Sequence, residues 1–593
     1  MLQMEWRGRS MAQGSGEPLH CLLMKCGIFR DFNIRILGLG VTIFLTWSLV
    51  YTSLMFRIAP FELGWWDWLN IGLRSLVGPA IFVALVLAIG RRSLRLVFCG
   101  ASSLVFFGVL GAYGLYSAWS GSVPHAAMAL HGGEVREILP QVFHQLATGW
   151  LVLLVAAWMV QCVAVGLVPS RRLWSWEKAC LVIILIIVGA AAHGRVARVL
   201  WDAADRVEAR RLWVFDLNES VARFGILQSW WRDADAWVGR KRHPIDQEWP
   251  GTLTGRPSVP EGSVGRVRNV ILVQVESLDP WVVEHEVRGR AVMPHLRALA
   301  RTARVYPNFF AQHSGGGSSD TELALHLGVL PLATHSGLLS AAWTTVRPLP
   351  AVVGKHGWST AAFHANRAGY FNRNVIYPQL AFERFFSEGD FTGSASGWQA
   401  IDADFMRQTL HFVDSMEDPF FASLITLQSH GPFRHHGPQP TVDPGPGVPR
   451  LERDYLQCMH EVDQSIGVLI DWLDRSGHQH DTAVVLFGDH LSRARGPVPP
   501  GPENIPLMVM APSLEPGKDL RVGTHLDLGP TVLDLLGLAA PEGWLGTSML
   551  DGGPGVAVFN NLEEVRWEDG HLVFRKNEAR MPFLLYSATV LGQ

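Results

Sequence analysis

The chain has 593 residues, of which 48% are hydrophobic and only 17% charged, and its formal net charge is −3. Soluble domains carry about 25% charged residues, so the deficit points to a membrane portion, and the length allows two or three domains. The near-neutral charge and the lack of a basic cluster interleaved with aromatics give no footing for a nucleic-acid partner.

In chain order, five apolar runs come first, near 34–56, 72–90, 95–116, 146–168 and 177–194. Each approaches the roughly 20 residues needed to cross a bilayer. More than thirty residues precede the first run and no small-residue cleavage site follows it, so it reads as an anchor rather than a signal peptide. Arg7, Arg9, Lys25 and Arg30 precede it, Arg91, Arg92 and Arg95 follow the second run, and Arg171, Arg172 and Lys178 follow the fourth. The alternate loops are poor in Lys and Arg and hold Glu62, Asp67, Glu134 and Glu137. Positive loops stay inside, which predicts a cytoplasmic N-terminus and, after five spans, an outside location for everything beyond about 195. Trp47, Trp65, Trp66 and Trp68 read as interfacial aromatics flanking these runs.

Residues 1–194 are thus expected to form a helical membrane domain. Residues 195–245 read as an amphipathic helical connector, and 246–267, with its Pro, Gly and Ser, reads as a linker. From 268 to 593 the texture is α/β. Strands are predicted at 269–275, 360–364, 420–426 and 483–487, and helices near 293–304, 322–329, 402–416 and 453–475. Such alternation implies a mostly parallel sheet covered on both faces. Of the six cysteines, only Cys458 falls in this part, which excludes a disulfide framework there and leaves catalysis to oxygen and nitrogen groups.

Parallel sheets bind ligands beyond the carboxyl ends of their strands, and four polar segments lie there. The first strand ends in Glu276-Ser277, and a loop Gly315-Gly316-Gly317-Ser318-Ser319-Asp320-Thr321-Glu322 opens a helix. The strand 420–426 runs into Gln428-Ser429-His430, and 483–487 runs into Gly488-Asp489-His490. Carboxylate, hydroxyl and imidazole groups together suit a divalent Mn²⁺, Zn²⁺ or Mg²⁺, and a serine at a helix start meets orphan N–H groups that favour phosphate. Singly, each has a plainer use: Glu276 as a surface carboxylate, Ser318 or Ser319 as a helix cap, and Asp489-His490 or His430 as turn residues.

Their joint order resembles the lipoteichoic acid synthase family, phosphoglycerol transferases with a sulfatase-like domain in the alkaline-phosphatase superfamily. The resemblance rests on Glu276 in VQVESL, Ser318 in GGGSSDTE, His430 in TLQSHGPF, Asp489-His490 in LFGDH, and Phe363-His364-Ala365-Asn366 through Tyr370-Phe371-Asn372-Arg373. The run Asp527 to Gly537 resembles a structural helix of the superfamily. The resemblance implies five spans and an extracytoplasmic catalytic domain in a bacterial cell (inner) membrane. It further implies one divalent ion, Mn²⁺ with Zn²⁺ or Mg²⁺ as alternatives, on Glu276, Ser318, Asp489 and His490.

Ser318 would be the nucleophile and His430 a catalytic and substrate-binding group, with Ser319 capping the helix. His364, Asn366, Phe371 and Arg373 would bind the head group, Arg373 through forked hydrogen bonds. The donor would be phosphatidylglycerol and the acceptor a glycan or polymer hydroxyl. Serine stands where the family has threonine, Phe371 where it has tryptophan, and Asn366 where it often has an acid. Ser318 is followed by Ser-Asp-Thr-Glu, not by the x-Pro-x-Arg needed for formylglycine, so sulfate hydrolysis is not expected. A phosphodiesterase would use the same residues. A phosphoethanolamine transferase fits the cysteine count poorly, and an inactive scaffold would not need the intact set.

Overall fold

The computed structural model describes residues 247–591 apart from 260–266, 315–316, 333–336, 341–343, 432, 434–440, 497 and 499–500. Upstream it describes only 148–167 and scattered positions within 41–107. The chain divides into two compact units, one of 1–53, 72–110 and 148–200 and one holding the remainder.

In the first unit the described residues establish no membrane-crossing helix. An uncharged 20-residue helix, Thr148–Leu167, occupies the fourth predicted run. Trp47, read as an interfacial aromatic, has side-chain partners within this unit. It is buried, stacks on Phe82 at 4.1 Å and donates its indole N–H to Gln161 Oε1 at 3.1 Å. The fifth predicted run and the amphipathic stretch 195–245 lie outside the described residues.

The second unit is built on an eight-stranded sheet. In chain order its strands are β1 (Asn269–Val275), β2 (Arg304–Val305), β3 (Ser359–His364), β4 (Arg384–Phe386), β5 (Phe420–Ile425), β6 (Thr482–Gly488), β7 (Leu507–Met510) and β8 (Gly517–Lys518). They lie side by side as β8-β2-β7-β6-β1-β5-β3-β4. The block β6-β1-β5-β3-β4 is parallel, with Leu272 of β1 in register with Val485 on one side and Ser423 on the other. β7 runs antiparallel to β6 and β2. β1 is buried along its whole length, as the unbroken apolar run predicts for a strand covered on both faces.

Side chains alternate across a strand, and the core divides accordingly. Ile271, Val273 and Val275 join one cluster with residues of helices α1 (Pro294–Thr302), α3 (Asp402–Val413) and α4 (Arg450–Ser476). On the other side β1 meets α5 (Leu528–Leu536), which also packs on α2 (Ser318–Leu327). α4 shows why such helices dock: Tyr455, Met459, Val462, Ile466, Leu469 and Leu473 recur at three- and four-residue steps and are all buried. Cys458 is a buried free thiol, and burial pushes its pKa well up, so it is inert.

The stretch read as a linker is docked where it is described. Leu253 is buried, its N–H donates to the Leu545 carbonyl at 2.8 Å, and the Ser258 carbonyl accepts from Ser548 N at 2.7 Å. Arg256 pairs with Asp551 at 3.0 Å.

Candidate active site

Because β6, β1, β5 and β3 are parallel neighbours, their carboxyl ends share one edge of the sheet. Along that edge lie Asp489-His490 after β6, Glu276 after β1, His430 beyond β5, and His364 as the last residue of β3.

At the first of these, Glu276, Asp489 and His490 bring one ligand atom each within 4.8 Å of one another. His490 Nε2 lies 3.3 Å from Glu276 Oε1, and Ser318 Oγ donates to Glu276 Oε2 at 2.8 Å. The four residues expected to hold a metal are therefore gathered at one point. Gly317 supplies the turn that precedes the serine. Its φ of +52° is open to glycine at little cost and strained for other residues, while a Cβ there would make only ordinary contact with the His490 ring, at 3.4 Å. Gly317, not Ser319, is the cap position of α2, and Ser318 is its first residue. The serine hydroxyl thus sits in the first turn, at the positive end of the helix dipole.

The electrostatics fit a cation. Burial works to raise the Glu276 pKa, but the charges of His490 and His430 and bonds from His490 and Ser318 hold it well below the usual range. Asp489 is pushed up to about 7 by burial and by the charge of Glu276. Burial works to lower His490, yet the two carboxylates raise it to about 10. Two buried carboxylates at this spacing repel unless a positive charge lies between them. With an imidazole nitrogen and a hydroxyl they make a hard-to-borderline set that suits one divalent ion.

Residues not singled out from the sequence hold this set in place. Asp489 Oδ1 accepts from Ser277 N at 2.8 Å, and Ser277 Oγ donates to Glu276 Oε1 at 2.9 Å. Ser277 does so with φ at +54°, a left-handed value that costs free energy for serine. Asp320 accepts from Ser314 N at 2.8 Å and Gly337 N at 2.6 Å, tying both flanks of the helix that Ser318 opens. On the far flank, Glu503 binds His313 Nε2 at 3.1 Å and Arg493 Nη2 at 2.8 Å, with the His313 ring 6.2 Å from that of His490.

The residues expected to bind a head group form the second part of the edge. His430 Nδ1 bonds the Gly431 carbonyl at 2.8 Å, which leaves Nε2 for chemistry. Its ring meets Trp398 at 4.7 Å. His364 is buried, and burial with the Arg373 charge holds its pKa well down. Asn366 Oδ1 accepts from Arg367 N at 2.7 Å, while its buried Nδ2 has no partner. Phe371 is half-buried with a left-handed φ of +52°.

Arg373 departs from expectation. Its Nε and Nη2 are taken by Glu322, at 3.0 and 2.5 Å, and Tyr377 also bonds that carboxylate. The forked grip on phosphate is thus already occupied, because a fully buried guanidinium needs a counter-charge to offset its desolvation. Only Nη1 is left without a partner. Glu322 stands in the motif GGGSSDTE, one turn after Ser318, so helical spacing marked it as facing the same way as that serine. Trp398 had no such signal.

Residues 268–538 match the model of the sulfatase family. The chain is 27% identical over 292 residues to lipoteichoic acid synthase 2 of Bacillus subtilis, covering 46% of this chain and 45% of that protein. It is 22% identical over 503 residues to the lipoteichoic acid synthase-like protein YvgJ of the same organism, covering 79% of this chain and 80% of that one. The crystal structure of lipoteichoic acid synthase LtaP from Listeria monocytogenes superposes with a TM-score of 0.48 at 22% identity, covering 56% of this chain and 94% of that one.

Proposed function

Residues 268–538 being a sulfatase-type domain of the alkaline-phosphatase superfamily, similar to that of lipoteichoic acid synthases, we propose that this enzyme transfers a phosphoglycerol head group. The donor is phosphatidylglycerol, and the acceptor is a hydroxyl of a glycan or polymer outside the cytoplasm. The membrane portion expected at 1–194 keeps the site near lipid head groups. The observation that carries the reading is the Ser318 hydroxyl, bonded at 2.8 Å to Glu276 within reach of Asp489 and His490 at the start of a helix.

Glu276, Asp489, His490 and the Ser318 oxygen would hold one divalent ion, Mn²⁺ by family resemblance. Such an ion lowers the pKa of a bound hydroxyl and offsets phosphate charge. Ser318, its proton given up to solvent before attack, bonds to the lipid phosphorus through Oγ as the bond to the diacylglycerol oxygen breaks, and it leaves as the same alkoxide in the second step. His430 Nε2 supplies the proton that the departing oxygen takes up. The acceptor hydroxyl then attacks the same phosphorus, the serine–phosphorus bond breaks, and His430 receives the acceptor's proton. Arg373 contributes its charge and its Nη1, and the α2 N–H groups favour the anionic intermediate.

The test is to incubate the purified full chain with phosphatidylglycerol vesicles and Mn²⁺. Released diacylglycerol and a glycerophosphoryl adduct on the Ser318 peptide, read by mass spectrometry, are expected. Steady release of glycerol phosphate without acceptor would instead make the enzyme a phosphodiesterase. An adduct on Ser319 would move the nucleophile.

A further inference from the structure

Trp398 closes a gap among the head-group residues that motif spacing cannot show. The rings His430 and Trp398 lie 4.7 Å apart, Trp398 and Tyr370 5.7 Å, and Tyr370 and Phe371 4.6 Å. The Arg373 guanidinium follows at 5.2 Å from Phe371. His430 comes from a segment far in sequence from Phe371 and Arg373, and without Trp398 and Tyr370 these contacts would not form one wall. Trp398 is held firmly there. The preceding Gly397 N–H donates to the Ala365 carbonyl at 2.8 Å, and the Gly397 carbonyl accepts from Ala400 N at 3.0 Å. The first bond ties its loop to the end of β3, between His364 and Asn366. The indole is only half-buried, and its N–H has no partner among the described residues. An aromatic face beside an open N–H donor is suited to a ligand with both C–H and hydroxyl surface.

We propose that Trp398 is a substrate-binding residue whose indole packs on the carbon face of the transferred glycerol unit and whose N–H donates to one of its oxygens. This rests on the phosphoglycerol reading of the site, and it assigns Trp398 to the donor's head group rather than to the acceptor. Phe371 offers a ring with no donor atom. The N–H needed to fix a small polyol therefore comes from a different part of the chain. Near Trp398, the Asn366 amide offers a second unpaired donor, so the pocket favours a ligand rich in acceptor oxygens.

The experiment uses the full chain in two arms, with the wild type, Trp398→Phe and Trp398→Ala. The first arm measures binding of glycerol 1-phosphate by calorimetry in the presence of Mn²⁺. The second measures diacylglycerol release from phosphatidylglycerol vesicles, and thermal unfolding is followed for each protein. Trp398→Ala is expected to weaken binding and raise KM by about tenfold, and Trp398→Phe by about threefold, since it keeps the ring and loses the N–H. The kcat and the unfolding midpoint should stay near wild type. Equal binding by wild type and Trp398→Ala would overturn the proposal, as would loss of activity accompanied by a fall in the unfolding midpoint. Unchanged binding and first-step release with slower transfer to acceptor would also overturn it, by placing Trp398 on the acceptor side. Wild type that binds glycerol 1-phosphate but releases no diacylglycerol would remove the transferase reading, while weaker binding by Trp398→Ala would still support the wall. Wild type that does neither would sink both.

Discussion

At the scale of single residues, the site depends on oxygens and nitrogens that have few substitutes. Ser318→Ala should abolish the covalent adduct and lower turnover by at least about a thousandfold, as loss of a nucleophile does. Ser318→Thr, which keeps the hydroxyl, should retain measurable activity. Ser319→Ala should still form the adduct, because Gly317 is the cap of the helix and Ser318 is the serine that bonds Glu276; peptide mass spectrometry on all three variants checks this. Glu276→Gln and Asp489→Asn remove one anionic oxygen each from the cluster. Both should cut retained metal by more than roughly tenfold, measured by elemental analysis after dialysis. Full metal retention by Asp489→Asn would rule out the assigned site. These residues were legible because each follows a strand or opens a helix, where local pattern is strong. The Glu322 grip on Arg373 was not, because residues 51 apart in sequence find each other only through the fold. Trp398 was hidden for the same reason.

At the scale of elements, long apolar runs were read well and short or polar ones poorly. The predicted strands 269–275, 360–364, 420–426 and 483–487 appear within one residue at each end. Strands β2, β4 and β8, of two or three residues, are too short to carry a period. α2 begins four residues before the predicted 322, at Ser318. Ser-Ser-Asp-Thr-Glu looks like loop, yet all ten residues of the helix are buried, and pairing of Asp320 and Glu322 is what makes that tolerable. The same helix ends on Gly328 with φ at +62°, where a Cβ would meet Trp544 at 2.8 Å. Gly328→Ala should therefore cost about 2–4 kcal/mol, combining left-handed strain with overpacking. Thermal or urea unfolding would show it, and a change below 0.5 kcal/mol would mean Trp544 can yield.

At the scale of the whole molecule, acid should weaken the catalytic unit through histidines kept neutral inside it. His326 is buried, its Nδ1 has no partner, and burial lowers its pKa from 6.5 to about 3. The folded state therefore binds fewer protons than the unfolded one between those values, so stability is fully present above pH 6.5 and falls as pH drops toward 3. By pH 5 the loss from this residue is about 2 kcal/mol. His326→Leu should flatten that slope, seen as a smaller difference between unfolding at pH 8 and pH 5; an unchanged slope would place the proton elsewhere. Orientation is a separate question, read from loop arginines whose segments lie mostly outside the described residues. A reporter that works only outside the cytoplasm should be active when fused after Gln593, and activity of a cytoplasm-only reporter there would reverse the topology.

The docked segment 247–259 changes where the catalytic portion can be cut free. Its Leu253 serves the Leu545 carbonyl and accepts from Arg580 at 3.1 Å, and Arg256 reaches Asp551 and the Pro554 carbonyl. A fragment starting at 268, where the family match begins, would strip those partners from the far end of the chain. It should melt lower, by about 2–4 °C for each kcal/mol lost, than one starting at 246. For anyone trimming the protein for crystals or assays, the useful scissor point is set by these contacts, some twenty residues ahead of the first strand.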